Sequence, residues 1–167
     1  MNPPKEEDLL FDFRPFLKWE RFDDVSIHGT LSSMKRVDFI IEKVDHVIFL
    51  EVKDPDIPGA KNIMQFRQDF QGGSLIPELA GKYRDTLLFT QLRGGYEKPI
   101  NYVVLLSMAS LDEALILNRT DALKSSIPIS HRQWLQDSVN SCVILKLDAY
   151  KRVYGDQSVW RHSDYED

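Results

Sequence analysis

The stretch VDFIIEKVDHVIFLEVK, residues 37 to 53, holds three residues whose types and spacing could do chemistry. Asp38 interrupts one apolar run, and Glu51 and Lys53 interrupt the next, two positions apart. Side chains alternate faces along a strand, so Glu51 and Lys53 share one face and Asp38 shares a face with Ile40. A hairpin turning at Val44 and Asp45, with Lys43 opposite His46, sets Asp38 directly opposite Glu51. Directly opposed Cβ atoms lie about 4.5–5.5 Å apart. Two carboxylates that close repel unless a cation lies between them or one holds a proton. A hard divalent cation answers this, because Mg²⁺ takes a few carboxylates plus waters and substrate phosphate oxygens. Lys53, on the same face, would orient or help deprotonate a water and neutralise charge developing on a phosphate. Such a patch fits phosphodiester hydrolysis better than acyl transfer or redox chemistry. A one-residue slip of the hairpin would remove the facing acids. The plainer alternative needs no metal: Arg36 with Glu51 and Asp38 with Lys53 as ordinary ion pairs across the hairpin.

The surrounding elements must hold these groups in place. PKEEDLLFDF carries Leu9, Leu10 and Phe13 at helical spacing after Pro4, which predicts a short first helix ended by Pro15. WERFDDVSI reads as a second short helix leading into a strand, with no sharp division between them. The two apolar runs form the hairpin, and DPDIPG breaks its second strand. Residues 59–70 are predicted helical, stopped by QGGS. PELAGKYRDTLLFTQLRGG is the strongest helix, with Leu79, Tyr83 and Leu87 on one face and Gly94 as its stop. INYVVLLSM is a continuously apolar strand covered on both faces. SLDE has the spacing of a capping box and opens a helix to about Lys124. A helix around HRQWLQDSV, with Trp134 in the core, and a strand CVILKLDAY follow. From about residue 154 the chain reads as a loose tail that Trp160 could anchor. The order predicts one α/β domain over 1–167, with a mixed β-sheet flanked by helices.

Composition narrows the classes. With 43% hydrophobic and 28% charged residues, the chain reads as soluble and globular. No apolar run reaches the roughly 20 residues needed to span a bilayer, so no membrane is expected. MNPPKEEDLL is too polar for a secretory leader. The single cysteine, Cys142, reads as a buried thiol and points to a reducing cytoplasm. A net charge of −5 argues against a general polyanion binder, though a local basic rim can act within an acidic protein. The four histidines lack zinc spacing, and no P-loop, G-x-S-x-G or G-x-G-x-x-G occurs.

Asp38 in RVDFII, followed after twelve residues by EVK in VIFLEVK, resembles the PD-(D/E)XK nuclease superfamily, which includes restriction endonucleases and Holliday-junction resolvases. The likeness covers mainly residues 36 to 55, and Val37 stands where the motif's name has a proline. The resemblance implies a restriction endonuclease-like fold and an endonuclease using Mg²⁺ (or Mn²⁺) on nucleic acid, most simply DNA. It assigns Asp38, Glu51 and Lys53 as catalytic, with the Val52 carbonyl joining Asp38 and Glu51 at the metal. Members often add an acid from the first helix, for which Glu6 and Glu20 compete. They often add a basic or amide residue after the lysine, for which Gln65, Lys82 and Arg84 are open. Lys35, Arg36, Lys61, Arg67, Lys82 and Arg84 would form a basic rim contacting phosphates. Double-strand action by so small a chain implies a homodimer. Two other classes stay open: a catalytically inactive nucleic-acid-binding subunit of this fold, and a protein-interaction domain whose charged hairpin is a docking edge.

Overall fold

The computed structural model describes residues 3–29, 31 and 33–164. The chain opens with β1 (Lys5–Glu6), β2 (Leu9–Phe11) and β3 (Lys18–Arg21), then a single helical turn, α1 (Val25–His28). The hairpin follows as β4 (Phe39–Glu42) and β5 (Val47–Lys53). Two helices, α2 (Ile63–Gly72) and α3 (Ile76–Leu92), lead to β6 (Ile100–Leu106). Then come α4 (Glu113–Ser126), β7 (Ser141–Lys146), α5 (Leu147–Tyr154) and β8 (Val159–Arg161). The result is a mixed α/β architecture with two sheets and, among the described residues, five helices. The larger sheet has the order β3-β4-β5-β6-β7, and the smaller β1-β2-β8. In the larger sheet β3, β4 and β5 are antiparallel neighbours, while β6 and β7 run parallel to β5. Among the described residues no helix is long and apolar enough to cross a membrane.

The hairpin has the register anticipated from its turn. Lys43 N–H donates to the His46 carbonyl at 2.8 Å, and Phe39 to Glu42 pair in order with Leu50 to Val47. Continuing by one residue brings Asp38 beside Glu51. Alternation along β5 and β6 then sorts two cores. Val47, Phe49, Tyr102, Val104 and Leu106 pack beneath α3 with Leu79, Ala80 and Tyr83. Ile48, Leu50, Val52, Val103 and Leu105 face the other way, against Leu9, Phe11, Phe13, Tyr150 and Val159. Glu51 and Lys53 therefore lie on the α3 side of a sheet that is apolar on both faces.

Several sequence expectations are corrected. No first helix forms, because Leu9, Phe11 and Phe13 are all buried and a period of two satisfies them as a strand. Glu7 takes the turn between β1 and β2 at φ 52°. In WERFDDVSI the strand precedes the helical turn, since β3 completes the edge of β4 and Asp24 then caps α1 by accepting from Ser26 N–H. The α4 cap is Asp112, which accepts from Ala114 N–H, and not Ser110. Residues 131–139 form bends rather than a helix, and Trp134 and Leu135 are exposed at 45% and 105%. An amphipathic helix needs a core to bury its apolar stripe, and of this segment only Val139 enters the core; the loop is pinned by Tyr83 Oη donating to the Ser138 carbonyl at 2.6 Å. CVILKLDAY divides into β7 and α5. Residues 155–164 are no loose tail: β8 pairs with β2, Leu10 opposite Trp160.

Leu50 is wholly buried between the sheets. Leu50→Ala should cost about 2–5 kcal/mol of unfolding free energy in urea titration, whereas Leu135→Ala should stay within about 0.5 kcal/mol of the parent.

Candidate active site

Two strand ends and one helix build the site. Asp38 lies just ahead of β4, tied to both neighbouring strands: its N–H donates to the Leu50 carbonyl at 3.1 Å and its carbonyl accepts from Phe22 N–H at 2.8 Å. Its Oδ2 accepts from Val52 N–H at 2.6 Å, so the backbone of β5 fixes the carboxyl orientation. The residue is 6% exposed. Burial first, and then the Glu51 charge, push its pKa up to about 8, against the opposing pull of Lys82 and the Val52 N–H.

Glu51 is fully buried two residues before the end of β5, where an isolated carboxylate would be very costly. Its Oε1 takes two ammonium groups, Lys82 Nζ at 2.6 Å and Lys53 Nζ at 3.1 Å. Oε2 is buried without a hydrogen-bond partner among the described residues. Burial raises the Glu51 pKa, and Lys82 and then Lys53 draw it back. Lys53 also meets Glu78 Oε1 of α3 at 3.3 Å. Burial opposes the Lys53 charge, but Glu51 and Glu78 outweigh it and hold the ammonium above its ordinary pKa. Lys53 is thus a firmly protonated donor.

A second group of acids flanks Asp38. Carboxylate oxygens of Glu6, Asp23 and Asp38 all lie within 4.8 Å of one another. Arg21 provides local charge balance, its Nη1 at 2.6 Å from Glu6 and 3.6 Å from Asp23, with the guanidinium over the Phe39 ring at 5.0 Å. Of the two acids weighed from sequence, Glu6 joins this group from a strand rather than from a helix. Glu20 does not; its carboxylate pairs with Arg93 at 3.2 Å. Asp23 was missed, because its position depends on β3 pairing with β4, which brings Phe22 against Asp38. Reading WERF as a third strand alongside RVDFII would have pointed to it.

A cleft of about 410 Å³ is lined by Asp23, Met34, Lys35, Arg36, Glu78 and Lys82, and not by Asp38, Glu51 or Lys53 themselves. Arg36 and Lys82 therefore reach it. Lys61, Gln65 and Arg84 are exposed and do not line it; Gln65 instead donates to Asp69 one turn along α2 at 3.0 Å. Arg84 is two residues beyond Lys82 and so projects from another face of α3. Arg67 is directed toward Ser110, with which it hydrogen-bonds. Val52 contributes its N–H to Asp38, while its side chain packs in the opposite core. No protein-family model, curated protein or solved structure matches this chain.

The Asp38 shift has a definite consequence for stability. Its carboxyl titrates near pH 8 when folded and near the ordinary 3.8 when unfolded, so between these values the folded state carries the extra proton. Asp38's contribution is complete at low pH and is lost as pH rises from about 4 toward 8, with a slope of at most about 1.4 kcal/mol per pH unit. Urea unfolding across that range should show the decline in the parent and a flatter profile in Asp38→Asn.

Proposed function

We propose that this chain is a metal-dependent endonuclease that hydrolyses phosphodiester bonds in DNA, with the restriction endonuclease-like fold of the PD-(D/E)XK superfamily. The observation that carries the reading is the wholly buried Glu51, its Oε2 without a partner among the described residues and its Oε1 gathering Lys53 and Lys82. Asp38 on the neighbouring strand and the Glu6 and Asp23 carboxylates beside it add hard oxygen donors, the chemistry that suits Mg²⁺ or Mn²⁺. The mixed sheet with a helix over the site agrees with the architecture the motif implies.

On this reading Asp38 and Glu51 hold the metal with the Val52 carbonyl, and Glu6 or Asp23 supplies a further oxygen. The bound cation supplies Lewis acidity and an activated water. The chain's own groups do the rest. Lys53, kept protonated by Glu51 and Glu78, donates to a phosphoryl oxygen or holds the attacking water, and neutralises charge as the bond breaks. It does not serve as the base. Lys35, Arg36 and Lys82 line the cleft beside Asp23 and Glu78, and would meet backbone phosphates without reading sequence. Cutting of both strands would call for a homodimer, and the buried, reduced Cys142 fits a cytoplasmic setting.

One contact favours a second reading. Lys82, at 2.6 Å from Glu51, already compensates the charge a metal would balance, as expected of a nuclease fold kept for binding alone. Incubating plasmid, linear and branched DNA with the protein, with and without Mg²⁺ or Mn²⁺, separates the two. The nuclease reading predicts metal-dependent cutting, abolished in Asp38→Ala and lowered about 10²–10³-fold in Lys53→Ala. Cutting that survives both changes would refute the site, and binding without cutting would favour the second reading.

A further inference from the structure

The residues after Gly155 return to the edge of the candidate site. Arg161 of β8 grips both oxygens of Asp54, Nη1 to Oδ2 at 3.1 Å and Nη2 to Oδ1 at 2.8 Å. Nη2 also donates to Ser107 Oγ at 2.6 Å, and Nη1 to Asp8 Oδ2 at 3.4 Å. The Asp54 side chain is wholly buried, and those of Asp8 and Arg161 are 9% and 18% exposed. This is a bidentate, largely desolvated ion pair, the kind that fixes geometry more than it adds stability.

Each partner of that guanidinium adjoins a site segment. Asp54 directly follows Lys53, and its N–H donates to Glu7 Oε2 at 2.7 Å. Glu7 follows Glu6 and sits in the left-handed region, so this turn takes a conformation that its own residue type disfavours. Asp8, the next residue, is held from the C-terminal side by Ser163 as well, Oγ to Oδ2 at 2.7 Å. Ser107 N–H donates to the Lys53 carbonyl at 2.8 Å. One side chain therefore ties together the turn after Glu6, the end of β5 at Lys53 and the end of β6.

We infer that Arg161 is a positioning residue for the candidate site, a clasp by which the C-terminal strand sets Glu6 and Lys53 relative to each other. The clasp is drawn from contacts alone; its consequence for a bound cation rests on the metal-dependent reading above. The test compares the parent with Arg161→Met, Arg161→Lys and Ser107→Ala. It measures Mn²⁺ affinity by electron paramagnetic resonance, and amide exchange at Asp54 and, within the sheet, at Val104. Arg161→Met should weaken Mn²⁺ about 10–100-fold and speed Asp54 exchange about tenfold or more while Val104 stays protected. Arg161→Lys should restore part of both. If Arg161→Met fails to fold, Ser107→Ala and Arg161→Lys carry the comparison, with smaller shifts in the same direction. Unchanged Mn²⁺ affinity in folded variants overturns the inference, as does exchange that rises equally at Val104, which would mark Arg161 as a global stabiliser. A parent that binds no Mn²⁺ contradicts the metal reading alone, and the contrast between Asp54 and Val104 exchange then decides the clasp.

Discussion

The arrangement turns on one buried carboxylate. Glu51 stands in a strand covered on both sides, with no exposure of its own. A charge so placed is tolerated only when it is paired and hydrogen-bonded. Lys53 and Lys82 provide that pairing from the strand and from the helix above it. The position of α3 over the sheet is therefore set electrostatically as well as by the packing of Leu79, Ala80 and Tyr83. Asp38 is forced beside Glu51 by the hairpin register, and burial together with its neighbour's charge favours its protonated form, while burial raises the Glu51 pKa as well. A divalent cation would reverse that balance, since metal binding favours deprotonated ligands.

The second sheet supports the same centre from behind. β1 and β2 bring Glu6 toward Asp38 and Asp23, and β8 closes that sheet while sending Arg161 inward to Asp54. Residues from both chain termini thus meet where β5 ends. Arg21 balances the front acids and Arg161 the rear ones, so the acids around Asp38 and Lys53 are neutralised from two sides.

Much of the hairpin was legible in the sequence because two constraints agreed. The apolar alternation sets the faces, and one choice of turn, at Val44 and Asp45, gives the register that the strands have, with Asp38 and Glu51 together; the sequence equally allows a one-residue slip that would part them. β6, α3 and the stop at α2 followed from length, apolar content and glycine. The front of the chain was misread because Leu9, Phe11 and Phe13 satisfy a strand period while Leu9, Leu10 and Phe13 mimic a helical one; only the long-range partner β8 decides between them. Asp23 and Arg161 were hidden for the same reason. Their roles come from pairing with strands distant in sequence, which local spacing does not encode. The HRQWLQDSV loop shows the converse: a pattern that allows a helix, of which the core receives Val139 and leaves Trp134 and Leu135 exposed.

The central claim is that Glu51 and Asp38 together form a cation site rather than a purely structural ion-pair cluster. Titration of the protein with Mn²⁺, followed by electron paramagnetic resonance, tests this directly in the parent and in Glu51→Gln. The account predicts stoichiometric Mn²⁺ binding in the parent and its loss, by about tenfold or more, when Glu51 is neutralised in a protein that remains folded. A parent that leaves Mn²⁺ free, or a Glu51→Gln variant that binds it equally well, would contradict the account.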